Sequence, residues 1–259
     1  MKVTFLGTSA AWASARHNNV CFVAHSREPI LFDCGPSIVH QLAVAGIEPE
    51  EIRTVIVSHI HGDHSLGLPM FLVVAQISGR RRPLTVCMPQ SAIGPMKKVC
   101  ATVFPNLPKY AESASVEWVP LPETGSGTFG LAGQAEATTA RAQHPVPVVS
   151  THVRFGAERV SLAYSGDTAY CERVAHNAQG ADLLVHESNW SVALKTATGH
   201  GHSTATDAAN VARLAGARRL ALVHTLRDLA GHEPEIEAEA AEVFGGEVFA
   251  PTDFSTFEV

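Results

Sequence analysis

The chain opens with short apolar runs separated by polar turns. Residues 2–7, 19–25 and 29–33 each carry the β-branched, aromatic or aliphatic residues of a strand, and the polar Ser26-Arg27-Glu28 makes the last two hairpin-like. A helix is expected over 36–45, with Ile38, Val39, Leu42 and Val44 apolar and Gly46 to end it. Residues 53–58 (RTVIVS) form a short run of buried-strand type. Residues 66–76 read as helical provided that Pro69 sits in the first turn, where its missing N–H is not needed. A strand over 84–88, a helix over 91–104 and a Pro- and Gly-rich loop over 120–133 follow. Three more strands are expected at 135–142, 151–155 and 160–165.

From there strand and helix alternate: strand 183–186, helix 204–215, strand 220–224, helix 233–244 and strand 247–250. Strands fall in both halves, helices lie between them, and no low-complexity linker intervenes. The pattern predicts a single α/β domain over 1–259, with two sheets covered by helices.

Composition narrows the function. With 46% hydrophobic and 17% charged residues the chain can fill a core and is too apolar to be disordered. MKVTFLGTSA has no basic region before a long apolar run, and no later stretch approaches the roughly 18 apolar residues of a membrane span. A cytoplasmic protein without a membrane partner is expected. The five cysteines lack C-x-x-C spacing and are odd in number, so free thiols are expected rather than a disulfide framework. A net charge of −6 disfavours nucleic acid as a partner without excluding it. The densest basic run, Arg80-Arg81-Arg82, reads as a solvated helix end or loop.

The chemistry concentrates after the 53–58 run. SHIHGDHSLG places His59, His61, Asp63 and His64 within six positions. In extended chain, side chains two apart share a direction, so His59 and His61 can address one metal. Gly62 lets the chain turn, and Asp63 and His64 can then reach a second metal nearby. Zinc accepts this imidazole and carboxylate set, and manganese or iron is also compatible. Three further donors stand at strand ends: His144, Asp167 and His224. Gly166 frees the backbone for Asp167 to sit between two cations and offset their repulsion. Each has a plainer reading: Asp167 as an N-cap or Asx turn, His144 as a turn residue before Pro145, His224 as a packed strand-end histidine.

HIHGDH, together with FLGTSAA, LFDCG at 31–35, SGDT at 165–168, GHSTATDA at 201–208 and LVHT at 222–225, resembles the ribonuclease Z branch of the metallo-β-lactamase superfamily. The motifs run in family order from Phe5 to Thr225. The resemblance implies an αββα sandwich of two mixed sheets, with two divalent metals at one edge. It implies that His59, His61 and His144 ligate the first metal, Asp63, His64 and His224 the second, and that Asp167 bridges them. It also implies that Asp33 supports the histidine loop, the alternative being an ordinary turn aspartate.

His202 precedes Thr204, which with Asp207 has capping-box spacing at a helix start, a place where a substrate phosphate or carboxylate is favoured. In the branch, the matching histidine contacts the scissile phosphate and assists proton transfer; otherwise His202 is a plain helix-start residue. His186 and Glu187 resemble a family stretch behind the site, and His200 matches no family position. The remaining histidines read as surface or packing residues.

The implied mechanism uses a hydroxide generated between two metals, with Asp63 orienting it and His202 handling a proton. Neither Ser165 nor Ser203 lies in a G-x-S-x-G elbow, which speaks against an acyl-enzyme. The family relation favours a phosphodiester substrate. Bacterial ribonuclease Z generally carries a long RNA-gripping arm between the third metal histidine and the bridging aspartate, whereas 22 residues separate His144 from Asp167 here. The expectation is therefore hydrolysis of a small phosphodiester or related ester. The alternatives are transfer-RNA 3′ processing, lactonase or thioesterase activity, and a pathway protein with little hydrolytic activity. Related proteins are commonly dimers, so the resemblance allows a homodimer.

Overall fold

Alternation along the first strand sets the architecture. In β1 (Lys2–Gly7), Val3 and Phe5 face one buried layer while Leu6 faces another. This computed structural model describes residues 1–106, 116–196 and 201–259. One sheet has the order β14 (Thr256–Glu258), β1, β2 (Cys21–His25), β3 (Ile30–Phe32), β4 (Thr54–Ile56), β5 (Leu84–Pro89), β6 (Val116–Leu121). The other runs β13 (Glu247–Phe249), β12 (Arg219–Val223), β11 (Leu183–Glu187), β10 (Val160–Tyr164), β9 (Val149–Phe155), β8 (Ala135–Arg141), β7 (Ser126–Leu131). Both are mixed: β1 to β3 and β7 to β10 pair antiparallel, while β3 to β6 and β10 to β13 pair parallel.

Three apolar layers hold the sheets together. The middle layer joins their inner faces through Phe5, Phe22, Phe32, Val153, Tyr164 and Val223. Phe22 stacks on Phe32 at 4.7 Å, and Tyr164 meets both edge-on at 5.2 and 6.1 Å. Truncating Phe32 to alanine there would cost about 3–5 kcal/mol, because the buried layer cannot close over the cavity. Outside the first sheet, Leu31, Val55 and Val86 pack on α1 (Ile38–Ala45), α3 (Leu68–Ile77) and α4 (Gln90–Val103). Outside the second, Ala163, Leu184 and Leu222 pack on α5 (Glu172–Asn177), α6 (Ala205–Ala215) and α7 (Glu233–Ala241). The result is the expected αββα sandwich.

Some expectations change. The 120–133 segment contains β7, whose six residues pair with β8 from Ser126↔Ala140 to Leu131↔Ala135. Its glycines hide a strand pattern, and Gly127 is required because a Cβ there would meet Pro122 Cγ at 2.5 Å. The short α5 and β14, and the single turn α2 (Gly62–Ser65), carry too few periodic positions to be read in advance. Arg80 is not a solvated charge: it is buried, and its guanidinium donates to the carbonyls of Pro49, Ile52 and Arg82. Burial lowers its pKa to about 10. All five cysteines are free and buried, as expected.

The parallel strands aim their carboxyl ends at one edge. β4, β10, β11 and β12 deliver His59, Asp167, Glu187 and His224 there, the general place for a ligand crevice in such sheets.

Candidate metal centre

The histidine loop is fixed from below by Asp33. This fully buried carboxylate accepts from Ser58 N at 2.7 Å, Ser58 Oγ at 3.0 Å, Tyr164 Oη at 2.7 Å and His64 Nδ1 at 2.8 Å. With its Nδ1 proton committed to Asp33, His64 presents Nε2 to the site. The Ser58 hydroxyl, having donated to Asp33, accepts from His59 Nδ1 at 3.0 Å, which turns His59 Nε2 inward as a bare acceptor. His144 follows the same rule: Nδ1 donates to Gly201 O at 2.8 Å and Nε2 faces His61 Nδ1 at 3.3 Å. His224 Nδ1 lies 3.1 Å from Asn189 Nδ2, an amide nitrogen that fixes the orientation of the ring.

Every one of the seven anticipated donors comes to this point. Donor atoms of His59, His61, His144 and Asp167 lie within 4.8 Å of one another, and so do those of Asp63, His64 and His224. Asp167 faces both groups. Its Oδ2 is 3.6 Å from His59 Nε2, and its Oδ1 is 3.3 Å from His64 Nε2 and 3.4 Å from His224 Nε2. Asp63 Oδ2 reaches the same two nitrogens at 3.2 and 3.4 Å. Gly166, at φ 58°, makes this approach possible, since a Cβ there would meet Val148 and Ser58. His224 holds φ 57°, a left-handed conformation that nothing in the sequence announces.

The residues fit divalent cations. His59 Nε2 and Asp167 Oδ1 are buried without a hydrogen-bond partner, a costly state for polar atoms unless something else satisfies them. His64 Nε2 and His224 Nε2 stand only 3.2 Å apart. Burial, reinforced by the neighbouring His64, pushes the His59 pKa well down, which keeps its imidazole neutral as a ligand must be. Burial also lowers that of His144. Burial alone would raise Asp167, but His224, His64 and His59 hold it well below the usual carboxylate range. Burial likewise opposes ionisation of Asp63, and His224 and His64 outweigh it.

His202 stands beside the cluster. Its Nδ1 donates to Glu187 Oε1 at 2.9 Å and lies 4.0 Å from Asp167 Oδ2. Burial works against its charged form, and the Glu187 hydrogen bond and charge raise its pKa nonetheless. Glu187, itself buried, also accepts from the backbone N–H of Thr168, Ser203 and Asn189. The capping box starts α6 just beyond: Thr204 Oγ1 accepts from Asp207 N, and Asp207 returns the bond to Thr204 N, each at 3.0 Å.

His186 turns away, donating from Nδ1 to Glu187 O. His200 lies outside the described residues. Tyr164, Asn189 and the full role of Glu187 escape sequence reasoning. Only the position of Glu187, at the end of a buried strand, hints at it. A cleft of about 280 Å³ opens at the cluster, with His61, Asp63, Asp167, His202 and His224 in its lining.

A model of the beta-lactamase superfamily domain matches residues 28–225. Across 94% of its length the chain is 32% identical to "Ribonuclease Z" of Methanothermobacter thermautotrophicus, of which it covers 92%. The chain belongs to the metallo-β-lactamase superfamily, in its ribonuclease Z-like branch. Solved metallo-β-lactamase folds agree. The YhfI protein of Bacillus subtilis is 23% identical with a TM-score of 0.82, and human short-form tRNase Z 24% identical with 0.81; all of this chain and 99% of each of those chains are covered. As a member of this branch the chain is a metal-dependent hydrolase, and its His/Asp cluster brings together donors that could hold a metal ion. No helix among the described residues is long and apolar enough to cross a membrane.

Proposed function

We propose that the chain hydrolyses a phosphodiester, or a closely related ester, of a small molecule at two divalent cations. His59, His61 and His144 would hold the first, Asp63, His64 and His224 the second, and Asp167 both. Convergence of these donors on one point, with Asp167 facing each set through a different oxygen, carries the reading. Nitrogen and carboxylate donors suit zinc, with manganese or iron accommodated. Cations so placed supply Lewis acidity and lower the pKa of a coordinated water.

The protein's own groups do the rest. Hydrolysis consumes one water, breaks the phosphorus–oxygen bond to the leaving group and leaves that oxygen in need of a proton. His202, oriented by Glu187 and open to the cleft, would deliver it, and Asp63 would orient the attacking water. Between His144 and Asp167 the chain forms only β9, β10 and their turns, which supports a small substrate over a gripped RNA.

A second reading is transfer-RNA 3′ processing. It is favoured by relatives named "Ribonuclease Z" that match this chain over nearly their whole length. Lactone or thioester hydrolysis is the remaining variant of the first reading. The five buried thiols support a reducing, cytoplasmic setting. The exposed Leu66, Met70 and Ile77, on one side of α3 and the turn before it, support pairing of two chains. The middle apolar layer, drawn from both sheets, supports a single folding unit over the chain.

The test combines metal analysis with turnover of an activated phosphodiester, a precursor transfer RNA and a lactone. Two metals per chain and fastest turnover of the phosphodiester are expected; fewer than one metal per chain after chelator-free purification would sink the cluster. Replacing His202 by alanine should slow an ester with an alkoxide leaving group far more than one with a nitrophenolate, which needs no proton. Normal turnover of both with metals retained would exclude His202.

A further inference from the structure

Besides the candidate metal ligands, the cleft is lined by apolar residues: Ala10, Ala11, Trp12, Trp190 and Leu226. Trp12 stands out in it. Its side chain is 65% exposed, a costly way to place an indole unless something covers it. The Arg227 guanidinium lies over the ring, 3.6 Å from its centroid. Arg227 is itself half-exposed and paired with Asp228 at 3.2 Å. One indole face is thus held by a cation.

The two residues are not brought together by chance mobility. Ala10 N donates to Thr225 O at 2.9 Å, and Thr225 N to Thr8 O at 3.2 Å, so the Trp12 loop and the Arg227 loop are laced together. Asn19 Nδ2 clamps the carbonyls of Ala10 and Ala11 at 2.8 and 3.2 Å, and Ser9 Oγ donates to Trp12 O. Thr225 follows His224 directly. The platform is therefore built onto the same backbone that carries His224, one of the candidate metal ligands.

We propose that Trp12, braced by Arg227, is a stacking platform for a nucleobase carried next to the scissile phosphodiester, so that the substrate is a nucleotide ester. This rests on the phosphodiester reading above. A flat π-face stacks on an indole whatever the base, and the guanidinium adds positive charge near the phosphate. Metal ligands select for the ester; the platform selects for what is attached to it. The same chemistry could come from a small dinucleotide or from an RNA end.

The experiment compares wild type with Trp12→Ala and Arg227→Ala on a dinucleoside monophosphate, its base-free analogue and a short RNA with a 3′ extension. Trp12→Ala should lower the ratio of kcat/KM for base-bearing over base-free ester by about ten- to hundredfold, mainly through KM. Arg227→Ala should lower it less, and Trp12→Phe should restore most of it. A loss on the dinucleotide alone assigns the platform to small esters, and a loss on RNA alone assigns it to an RNA end. An unchanged ratio, or an equal loss on a lactone, overturns the platform. Calorimetric binding of adenosine 5′-monophosphate against ribose 5-phosphate separates the two failures. If wild type cleaves no phosphodiester yet prefers the base-bearing ligand and Trp12→Ala does not, the reaction assignment fails and the platform stands. If neither prefers it, the platform falls.

Discussion

The Asp33 carboxylate and the His64 imidazole, 31 residues apart, meet at 2.8 Å with neither side chain exposed to solvent. Because Asp33 also accepts from Ser58 and Tyr164, one residue ties the histidine loop to both sheets. Asp33→Asn keeps the shape but places an amide nitrogen against donors. It should weaken metal binding by about ten- to hundredfold, as losses behind a ligating histidine do. Asp33→Ala, which strands several buried donors, should in addition cost roughly 3 kcal/mol or more of stability. Metal titration and thermal melts of the two variants separate the effects, and unchanged metal affinity in Asp33→Asn would falsify the supporting role.

Gly35 lies against the histidine loop so closely that a Cβ would fall 2.3 Å from Asp63 O. The obstacle is backbone, so no side-chain rotation relieves it. Gly35→Ala should destabilise by roughly 1–3 kcal/mol through overpacking and move Asp63 off its site. Metal content falling further than the melting temperature suggests, by comparison with an alanine at Gly94, where space is open, would confirm the link.

Much of this site is legible in sequence because its donors are clustered and punctuated by glycine. HIHGDH declares itself, and Gly166 before Asp167 marks a strand-end turn that the structure confirms at φ 58°. The groups that orient the imidazoles, directly or through Asp33, are less visible. Ser58, Tyr164, Gly201 O and Asn189 are ordinary residues whose role arises only when distant strands align. The fold divides in the same way. Buried runs such as 53–58 and 220–224 and the Thr204–Asp207 cap have strong local signals. β7 does not, since an edge strand with two glycines lacks the apolar alternation that burial imposes on its neighbours. Arg80 fails for a related reason: three adjacent arginines look alike until the fold closes over one of them.

His17 offers a pH test away from the metals. It is bonded to Thr8 at 2.7 Å and Glu233 at 3.1 Å, and lies 3.5 Å from Asp253. The Asp253 hydrogen bond and charge, with Glu233, raise its pKa above the ordinary 6.5 against the opposing effect of burial. A raised histidine stabilises the fold fully below its unfolded pKa and loses that contribution as pH climbs through the folded value. Glu233 behaves oppositely: burial opposes its ionisation, but backbone N–H donors and His17 hold it below 4.5, so its share is lost in acid. The latch should therefore be strongest between about pH 5 and 6.5. His17→Gln should destabilise the fold more at pH 6 than at pH 8.5, by of the order of 1 kcal/mol, read from thermal melts at the two pH values. Equal losses at both pH values would show that the contribution is packing alone.

Chelation tests the cluster as a whole. Asp63 and Asp167 crowd around nitrogens that stand 3.2 to 3.6 Å from their carboxylate oxygens, an arrangement that cations binding only the folded chain would stabilise further. At a free metal concentration a thousand times the dissociation constant, linkage gives about 4 kcal/mol. For a chain of this size that corresponds to a melting shift of about 8–16 °C. The sandwich should survive removal, because its three apolar layers do not depend on the ligands and His64 can carry positive charge between Asp33 and Asp167. Thermal melts with and without chelator should thus show a cooperative transition at lower temperature, restored by adding zinc back. A chain with His59, His64 and His224 all replaced by alanine should show no chelator shift. If the shift persists in that variant, the cations responsible lie elsewhere in the molecule.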